Sequence, residues 1–175
     1  MMYKHFFICI SVLLCCSIAI GKEPMAKNLQ SEKEKIQKVV YDSIGWASNK
    51  DKELLFNAVA QDADFFIFHP DSQSTIIGFD AFKKMVEEFF MNDAFKAKSF
   101  TIKDLVIHVS KVGDTAWFSA YLDDFGEWQG KPTVWVDTRW TGVLEKRKNK
   151  WVIVQMHFSF ASDKIKADKD AVCKQ

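Results

Sequence analysis

Four polar side chains near the end of the chain have types and spacings suited to recognising an anion or a carbonyl group. Arg139 and Asp137 lie in one segment, His157 and Ser159 lie in the next, and polar and apolar residues alternate in both. Such alternation predicts two β-strands, each with two differently used faces. A hairpin register that places Arg139 opposite His157 also places Asp137 opposite Ser159, so we expect all four on one face.

The chemistry of this face depends on whether it lines a pocket. Towards the turn the same face carries Val143, Ile153 and Trp151, so it changes from apolar to polar as a cone would from closed end to mouth. In a pocket, Arg139 would be a fixed cation and His157 a hydrogen-bond donor or proton carrier. The alternative is a structural Arg–Asp–His network that ties the strand ends together, and the sequence leaves both open.

A second candidate for chemistry is His69, which ends a short apolar segment immediately before Pro70. A neutral imidazole at a pocket mouth can abstract a proton near neutral pH. His69 and His157 are therefore the predicted catalytic residues if the protein is an enzyme. The alternative is that His69 and Asp71 only form a turn, because Asp next to Pro is common in turns.

The aromatic content is a third feature that favours a pocket. The chain has sixteen Phe and six Trp, more than a small surface requires. We expect an apolar cavity with a polar mouth, lined by Arg139, Asp137, Ser159 and four aromatic side chains. The four are Trp46, Trp117, Tyr121 and Trp135. The alternative for each of them is ordinary packing in the core.

The elements that must position these side chains are helices followed by a sheet. Ser31 and Glu34 form a capping box that predicts the start of the first helix. Beyond it we expect two more helices, two short strands and four long strands joined as a meander. The two later helices are DKELLFNAVA and a segment that begins at Asp80. The strands are ADFFIF, TIIG, SFTIKDLVIHVS, DTAWFSAYLDDF, TVWVDTRWTGVLE and WVIVQMHFSF, and GEWQGKP is a loop between the fourth and the fifth of them. This order indicates an α+β fold in which one curved antiparallel sheet wraps around N-terminal helices in a cone-shaped roll.

The first 21 residues have the features of a secretory signal peptide. They contain one Lys, an apolar run too short to span a bilayer comfortably, and the small residues Ala19 and Gly21. We therefore expect an exported protein, periplasmic or secreted, with lipid anchoring through Cys15 or Cys16 as the alternative to free release. The expected divisions are a signal peptide over 1–21, a flexible segment over 22–31, the domain over 32–162 and a polar tail over 163–175.

Cysteine and charge counts exclude several classes of protein. Three of the four Cys lie in the leader, so Cys173 has no partner for an internal disulfide. Without Lys4 the chain has 23 basic and 23 acidic residues, so we expect no nucleic-acid partner. The histidines are dispersed and no Cys-x-x-Cys or His-x-His motif is present, so we expect no metal and no cofactor.

Four segments together resemble the SnoaL-like branch of the nuclear transport factor 2-like superfamily: NKDKELL, DADFFIFHPDS, IIGFDAF and RWTGVLEKRKNKWVIVQMHFS. The last is similar to the Arg-x-Thr, Trp-x-Ile and His-x-Ser ending of SnoaL-like domains and to the end of the calcium/calmodulin-dependent kinase II association domain. The resemblance covers the chain from about Glu32 to Ser162 and implies a cone-shaped domain. By similarity to ketosteroid isomerases, it also implies that His69 occupies the place of a general-base carboxylate, whereas Ser43 stands where those enzymes have a tyrosine.

The resemblance indicates fold better than function, because this superfamily includes isomerases, cyclases, dehydratases, assembly hubs and plain binders. The leading expectation is an exported domain that binds a small, partly apolar ligand with a polar or anionic head. One alternative is an acid–base enzyme, of isomerase, cyclase or dehydratase type, that uses His69, His157 and Arg139. The other is a dimeric assembly module without catalysis.

The outer face of the predicted sheet indicates a homodimer. The last strand carries apolar residues at every second position on the face opposite Arg139 and His157. An apolar surface of this kind requires a partner or a helix to cover it. The residues concerned are Val152, Val154, Met156 and Phe158.

Overall fold

A computed structural model describes residues 25–71 and 74–162 and shows helices packed against one face of a curved six-stranded sheet. The predicted signal peptide, the lipidation cysteines, Cys173 and the polar tail lie outside the described residues. The elements are α1 (Met25–Gly45), a 3-10 turn (Trp46–Ser48), α2 (Lys52–Ala58), β1 (Phe66–Phe68), β2 (Ile76–Ile77), α3 (Phe79–Met85) continued by a π-helical turn (Val86–Phe90), β3 (Phe95–Val109), β4 (Thr115–Trp128), β5 (Lys131–Arg147) and β6 (Lys150–Ser159).

The strand order is β2-β1-β6-β5-β4-β3, which confirms the α+β fold predicted from the sequence. All neighbouring strands are antiparallel except β1 and β6, which are parallel. The parallel pairing is possible because β1 and β6 are not joined by a hairpin: β2, α3 and the three long strands β3, β4 and β5 lie between them in the chain. The pairing matters for the site, because it brings the end of β1, where His69 follows, beside the end of β6.

Two boundaries differ from the sequence-based expectation. Helix α1 begins at Met25, so Ser31 lies inside the helix and does not cap it. The first residues of α1, Met25-Ala26-Lys27, are strong helix formers, and their helix propensity outweighs the capping motif at Ser31. The predicted loop between β4 and β5 is instead two strand ends joined at Gln129 and Gly130, whose φ angles of 50° and 79° are those of a tight hairpin turn.

The hairpin between β5 and β6 has a different register from the predicted one. Arg139 lies opposite Ser159, and His157 lies opposite Thr141, so the predicted pairing of Arg139 with His157 is wrong. The difference arises first at the turn, where Lys148 and Asn149 both have positive φ angles, 48° and 64°. They form a two-residue turn of the type that matches strand twist, whereas the prediction assumed a three-residue turn.

A β-bulge within β6 then reverses which side chains face the helices. The register shifts by one residue between Val143 and Leu144, because β6 accommodates the additional residue Val154. Before the bulge Ile153 faces the core, and after it Met156 and Phe158 do so. The expectation that Met156 and Phe158 form an outer apolar surface is therefore corrected: both are buried against the helices.

The sheet still has an apolar outer face, but different strands supply it. The odd-numbered residues of β4 point outward, and Trp117 and Tyr121 remain 48% and 42% exposed. The end of β4 and the neighbouring strands β3 and β5 add further apolar side chains that are at least one third exposed. These are Val106, Phe125, Val134 and Val136.

Glu32 fixes the first helix to the end of the last hairpin. This residue is only 9% exposed and accepts hydrogen bonds from Trp151 Nε1, Lys146 Nζ and Lys35 Nζ, each at 2.7 Å. Burial alone would raise the pKa of Glu32, but these three donors outweigh it and lower the pKa to about 2. A charged contact therefore attaches α1 to the hairpin between β5 and β6, in addition to apolar packing.

Candidate functional site

The predicted site residues separate onto two sides of the sheet. Arg139, Trp117 and Tyr121 are exposed on the outer face, and His157 lies there too, with its ring centroid 6.1 Å from that of the exposed Phe68. The expectation that Arg139 and His157 line an enclosed hollow is therefore corrected. Arg139 lies outside because the two-residue turn pairs the buried Ile153 with Leu144 rather than with Val143. His157 lies outside because the bulge in β6 reverses the alternation after Ile153.

The remaining predicted residues have varied positions. Trp46 is buried in the core with its ring centroid 5.7 Å from that of Phe90. Asp137 has a positive φ of 49° in a β5 bulge and accepts a 2.6 Å hydrogen bond from Lys103 Nζ. Ser159 is half-buried opposite Arg139. Of the nine predicted residues, His69 and Trp135 are the two that the structure brings together on the concave face.

His69 lies among aromatic rings at the rim of the concave face. Its imidazole stacks on Phe158, with centroids 5.6 Å apart and planes at 30°, and it meets the ring of Trp135 edge-on at 6.1 Å. Trp135 in turn contacts Phe158 at 5.5 Å and Phe160 at 6.0 Å. Trp140 continues the cluster inward, because it stacks on Phe158 at 5.5 Å. We call His69, Trp135, Trp140, Phe158 and Phe160 the rim cluster.

Local structure explains why these residues meet. Phe68 pairs with His157, so the next residue along β1, His69, comes level with Phe158 on the concave side. On β5 a second bulge places two residues, Val136 and Asp137, opposite the single residue Asp123. That extra residue lets both Trp135 and Thr138 face inward, although their spacing would put them on opposite faces of a regular strand.

Asp124 belongs to the same side of the sheet and was not predicted from the sequence. It pairs with Trp135 on β5 and with Phe100 on β3, and it is half-buried. The alternation on β4 contained the signal, because Asp124 has the same parity as the buried residues Ala120 and Leu122. The neighbouring Asp123 points to the outer side, where it accepts hydrogen bonds from Lys103 Nζ and the backbone N–H of Asp137.

Burial changes the pKa of His69 in the rim cluster and of Asp124 on the same side of the sheet. Burial lowers the pKa of His69 from its usual value, and the nearby charge of Asp71 only partly offsets this. Burial raises the pKa of Asp124, partly offset by a hydrogen bond with the backbone of Phe125. The neutral forms of both groups are therefore favoured relative to water.

Three buried polar atoms around the rim cluster have no hydrogen-bond partner among residues 25–71 and 74–162. They are His69 Nε2, Thr138 Oγ1 and Trp140 Nε1. Thr138 and Trp140 are both 0% exposed, and Trp140 shares the aromatic stack with Phe158. Buried polar atoms are nearly always paired, because an unmade hydrogen bond costs about 1–3 kcal/mol. Their concentration on one face therefore distinguishes this region from ordinary core.

The aromatic rings of Phe158 and Trp135 lie directly against the imidazole of His69. Two depressions on the described surface, of about 280 and 380 Å³, lie elsewhere. The first is on α1 around Tyr41, and the second lies between Lys50 and Lys98. Because Trp135 and His69 are half-buried and Phe160 is 36% exposed, the rim cluster is nevertheless reachable from solvent.

A family model described as a SnoaL-like domain matches residues 36–163. The chain belongs to the SnoaL-like domain family. No curated protein matches this SnoaL-like domain in sequence. The fold is that of the nuclear transport factor 2-like superfamily, as the resemblance predicted.

Solved structures similar to this SnoaL-like domain have diverse descriptions. A candidate scytalone dehydratase from Novosphingobium aromaticivorans is 14% identical with a TM-score of 0.67, over 77% of this chain and 87% of that one. A candidate dehydratase of the NTF2-like family from Streptomyces avermitilis is 16% identical with a TM-score of 0.63, over 76% and 98%. The association domain of the calcium/calmodulin-dependent kinase II of C. elegans is 18% identical with a TM-score of 0.57, over 77% and 99%. At these identities the similarity establishes the fold alone.

Two further observations concern the described part of the SnoaL-like domain. Within it, no group of three His, Cys, Asp or Glu side chains is placed to hold a metal ion. None of the helices in that same part has both the length and the apolar character of a membrane-crossing segment.

Proposed function

We propose that this SnoaL-like domain binds a small aromatic ligand at the rim cluster, with His69 as the main polar contact. The observation that supports this most directly is the buried, unpartnered Nε2 of His69 between the rings of Phe158 and Trp135. A ligand hydroxyl or carbonyl next to this nitrogen would satisfy it, and aromatic walls favour a flat apolar body. The family membership agrees, because the fold is a common one for ligand-binding and enzymatic domains.

In this proposal the ligand takes the position over His69 that the indole of Trp135 now occupies. Trp135 is half-buried and lies next to the exposed Phe160, and the proposal requires its side chain to turn outward when the ligand enters. Trp140 and Phe158, which are 0% and 5% exposed, would then form the fixed floor of the site. Trp135 thus has the role of a movable wall rather than a rigid lining residue.

Acid–base catalysis is a second use of the same site, because a neutral imidazole with a free nitrogen can accept a proton. The sequence suggested a catalytic group of His69, His157 and Arg139. With His157 and Arg139 on the outer face, any such reaction would rely on His69, on which the charge of Asp71 acts, and on Asp124 on the concave side. The ligand-binding proposal does not require this reaction.

The test is a thermal-shift screen of the full chain against small acids, sterols and aromatic compounds, with two matched variants. A ligand present at about 100 times its Kd adds roughly 2.7 kcal/mol of stability, which raises the midpoint by about 5–10 °C. We expect His69→Gln to remove that shift and His157→Gln to retain it, because both replace an imidazole by an amide but on opposite faces. A shift that survives in His69→Gln, or no shift for any compound, would contradict the proposed site.

The outer face supports a separate proposal, that two copies of the domain pair through it. Trp117 stacks on His108 with centroids 5.6 Å apart and remains 48% exposed, in the middle of the apolar outer face described above. A stable dimer buries roughly 800 Å² from each copy, which a face of three long strands can supply. The association-domain neighbours favour assembly as well.

The dimer proposal is tested by light scattering on Trp117→Lys and Val112→Lys. Both variants add one charge at an exposed apolar position, but Val112 lies in a turn and is 83% exposed. We expect Trp117→Lys to give monomers and Val112→Lys to keep the mass of the wild type. A wild type that is monomeric at all concentrations, or a Trp117→Lys variant that stays dimeric, would refute the interface.

Export also remains a proposal. The signal peptide predicted over residues 1–21 would place the ligand site outside the cytoplasm. Fractionation of cells that express the tagged full chain tests it: the mature form should be shorter by the leader and absent from the cytosolic fraction.

A further inference from the structure

Arg139 and His157 belong to a group of polar side chains on the outer face of the sheet, separate from the rim cluster. Arg139 is exposed and pairs with Ser159, and the half-buried His157 pairs with Thr141. Arg139 and His157 are therefore diagonal neighbours on adjacent strands, roughly 7–8 Å apart, which is within reach of a long side chain. Their side chains can contact one ligand at the same time.

Hydroxyl groups lie around Arg139 on three strands. On β4, Tyr121 pairs with Arg139 and Ser119 pairs with Thr141. On β6, Ser159 is directly opposite Arg139. Because paired residues share a face of the sheet, these hydroxyls and the guanidinium are all on the outer side. We call this group the outer polar cluster: Ser119, Tyr121, Arg139, Thr141, His157 and Ser159.

The charge of Arg139 is available to a ligand. Within the described part of the chain, no carboxylate is within ion-pair distance of its guanidinium. Strands β6 and β1, on one side of Arg139, contain no acidic residue. Asp71 lies beyond the end of β1, where it accepts a 2.7 Å hydrogen bond from Ser74 Oγ and where its charge acts on His69.

Two carboxylates on the other side of Arg139 oppose an anion only in part. Asp123 and Asp137 both accept hydrogen bonds from Lys103 Nζ, at 2.7 and 2.6 Å. Asp123 also accepts one from the backbone N–H of Asp137. Lys103 thus offsets part of their negative charge. An anion is therefore expected on the β6 side of Arg139, between its guanidinium and the imidazole of His157.

The donors of the outer polar cluster suit a phosphate group. The arginine fork donates two parallel hydrogen bonds to a phosphate or a carboxylate. His157 can add a ring N–H, and Thr141 and Ser159 can each add a hydroxyl. These donors exceed the roughly four hydrogen bonds that a carboxylate accepts, whereas a phosphate group offers a third strongly accepting oxygen. The exposed ring of Phe68, with its centroid 6.1 Å from that of His157, borders the cluster and would contact an apolar ester group.

We propose that the outer polar cluster binds the phosphate group of a small molecule, with Arg139 and His157 as its main contacts. Inorganic phosphate and phosphate monoesters share this chemistry, and the contact with Phe68 favours a monoester with an apolar body. The inference depends neither on ligand binding at His69 nor on the dimer. Trp117, in the middle of the proposed dimer face, pairs with Val143, which is four residues or about 13 Å along β5 from Arg139.

The experiment is an NMR titration of the full chain with inorganic phosphate, phenyl phosphate and benzoate at neutral pH and low salt. The variants are Arg139→Gln, Arg139→Lys and His157→Phe. The control Lys111→Gln removes one positive charge from an exposed position between β3 and β4. For wild type we expect saturable binding of phenyl phosphate below about 10 mM, with changes in amide shifts at Arg139, Thr141 and Ser159.

The variants should differ in a defined order. Arg139→Gln should weaken phenyl phosphate binding at least about tenfold, and Arg139→Lys should weaken it less, because lysine keeps the charge but not the fork. His157→Phe should weaken it about threefold, because the ring remains but its donor is lost. Lys111→Gln should bind within about twofold of wild type. Benzoate should bind at least about fivefold more weakly than phenyl phosphate.

The comparison of the two phosphates identifies the source of the group. Tighter binding of phenyl phosphate supports a monoester site, and equal affinity supports the same site for free phosphate.

Three results would overturn the inference. Equal weakening in Arg139→Gln and Lys111→Gln would mean that net charge alone attracts the anion. Benzoate binding as tight as that of phenyl phosphate would refute the selectivity for phosphate. Binding that does not saturate, or shift changes confined to other residues, would refute the site. None of these results bears on the rim cluster, which the thermal-shift screen tests through His69→Gln.

Discussion

Replacing Glu32 by Gln should weaken the attachment of α1 to the last hairpin. The carboxylate is 9% exposed and is held by Lys146, Lys35 and Trp151 at 2.7 Å each. Gln has the same size and can still accept hydrogen bonds, but it carries no charge for the two lysines. The variant therefore isolates the electrostatic part of the contact, since it removes little packing.

The magnitude follows from the pKa of Glu32, which is lowered from 4.5 to about 2 in the folded protein. That difference corresponds to about 3 kcal/mol of folding free energy at neutral pH. Because the Lys35 side chain is 58% exposed, solvent screening reduces the expected loss in Glu32→Gln to about 2 kcal/mol. For a domain of this size the midpoint should fall by about 4–8 °C.

The loss of stability in Glu32→Gln should depend on pH. The folded protein binds the Glu32 proton more weakly than the unfolded chain, so the stabilisation is complete above a pH of about 4.5 and is lost as the pH falls through about 2. Glu32→Gln has no such proton. The difference in stability between wild type and variant should therefore shrink from about 2 kcal/mol at neutral pH to below about 0.5 kcal/mol near pH 2.

The assay is urea denaturation of wild type, Glu32→Gln and the control Glu34→Gln across this pH range. Glu34 is on the same helix, exposed, and accepts a hydrogen bond from Gln30, so its replacement should change stability by less than about 0.5 kcal/mol. A gap between wild type and Glu32→Gln that stays constant with pH would refute the reasoning. It would mean that the contact acts through shape and not through charge.

Three further outcomes are expected. In an NMR titration the imidazole of His69 should show a pKa below 6.5, because burial disfavours its charged form. The domain should accordingly lose stability as the pH falls from 6.5 through that lowered value. A pKa above 6.5 would contradict the burial of His69. Gly142→Ala should lower stability by about 1–3 kcal/mol in thermal denaturation. The reason is that a Cβ at this position would lie 2.8 Å from Phe118 Cζ and 2.9 Å from the Gln155 carbonyl oxygen. An unchanged midpoint would show that these neighbours can move away. Lys148→Gly should raise the midpoint by the equivalent of up to about 1 kcal/mol, because Lys148 has a φ of 48°, which glycine adopts without steric strain. A lower midpoint would argue against the two-residue turn.

Local patterns explain which elements were predictable. Alternating residues identified β4, β5 and β6 because a strand buried on one face places its apolar residues at every second position. His69 before Pro70 marked the end of β1 for a similar reason, since proline cannot continue a sheet ladder. The SnoaL-like motifs then indicated the arrangement of these elements, and the family membership confirms it.

The composition of the site was predictable only in part. His69 and Trp135 were identified, whereas Asp124 and Trp140 were not, although both share the alternation of buried neighbours. Arg139 was placed in the pocket because a three-residue turn was assumed between β5 and β6, and His157 because a regular β6 was assumed. The role of every one of these residues in binding stays a prediction until a ligand is measured.

The sequence by itself determined the fold class and the positions of most strands, because the period of apolar residues is a local property that each segment carries alone. The tertiary structure alone decided which polar side chains share a face. One additional residue at Val154 and another in the Val136–Asp137 pair reverse the alternation within β6 and β5. Such bulges are stabilised by contacts between strands and with the helices beneath them, so no single segment encodes the side on which its histidine or arginine finally lies.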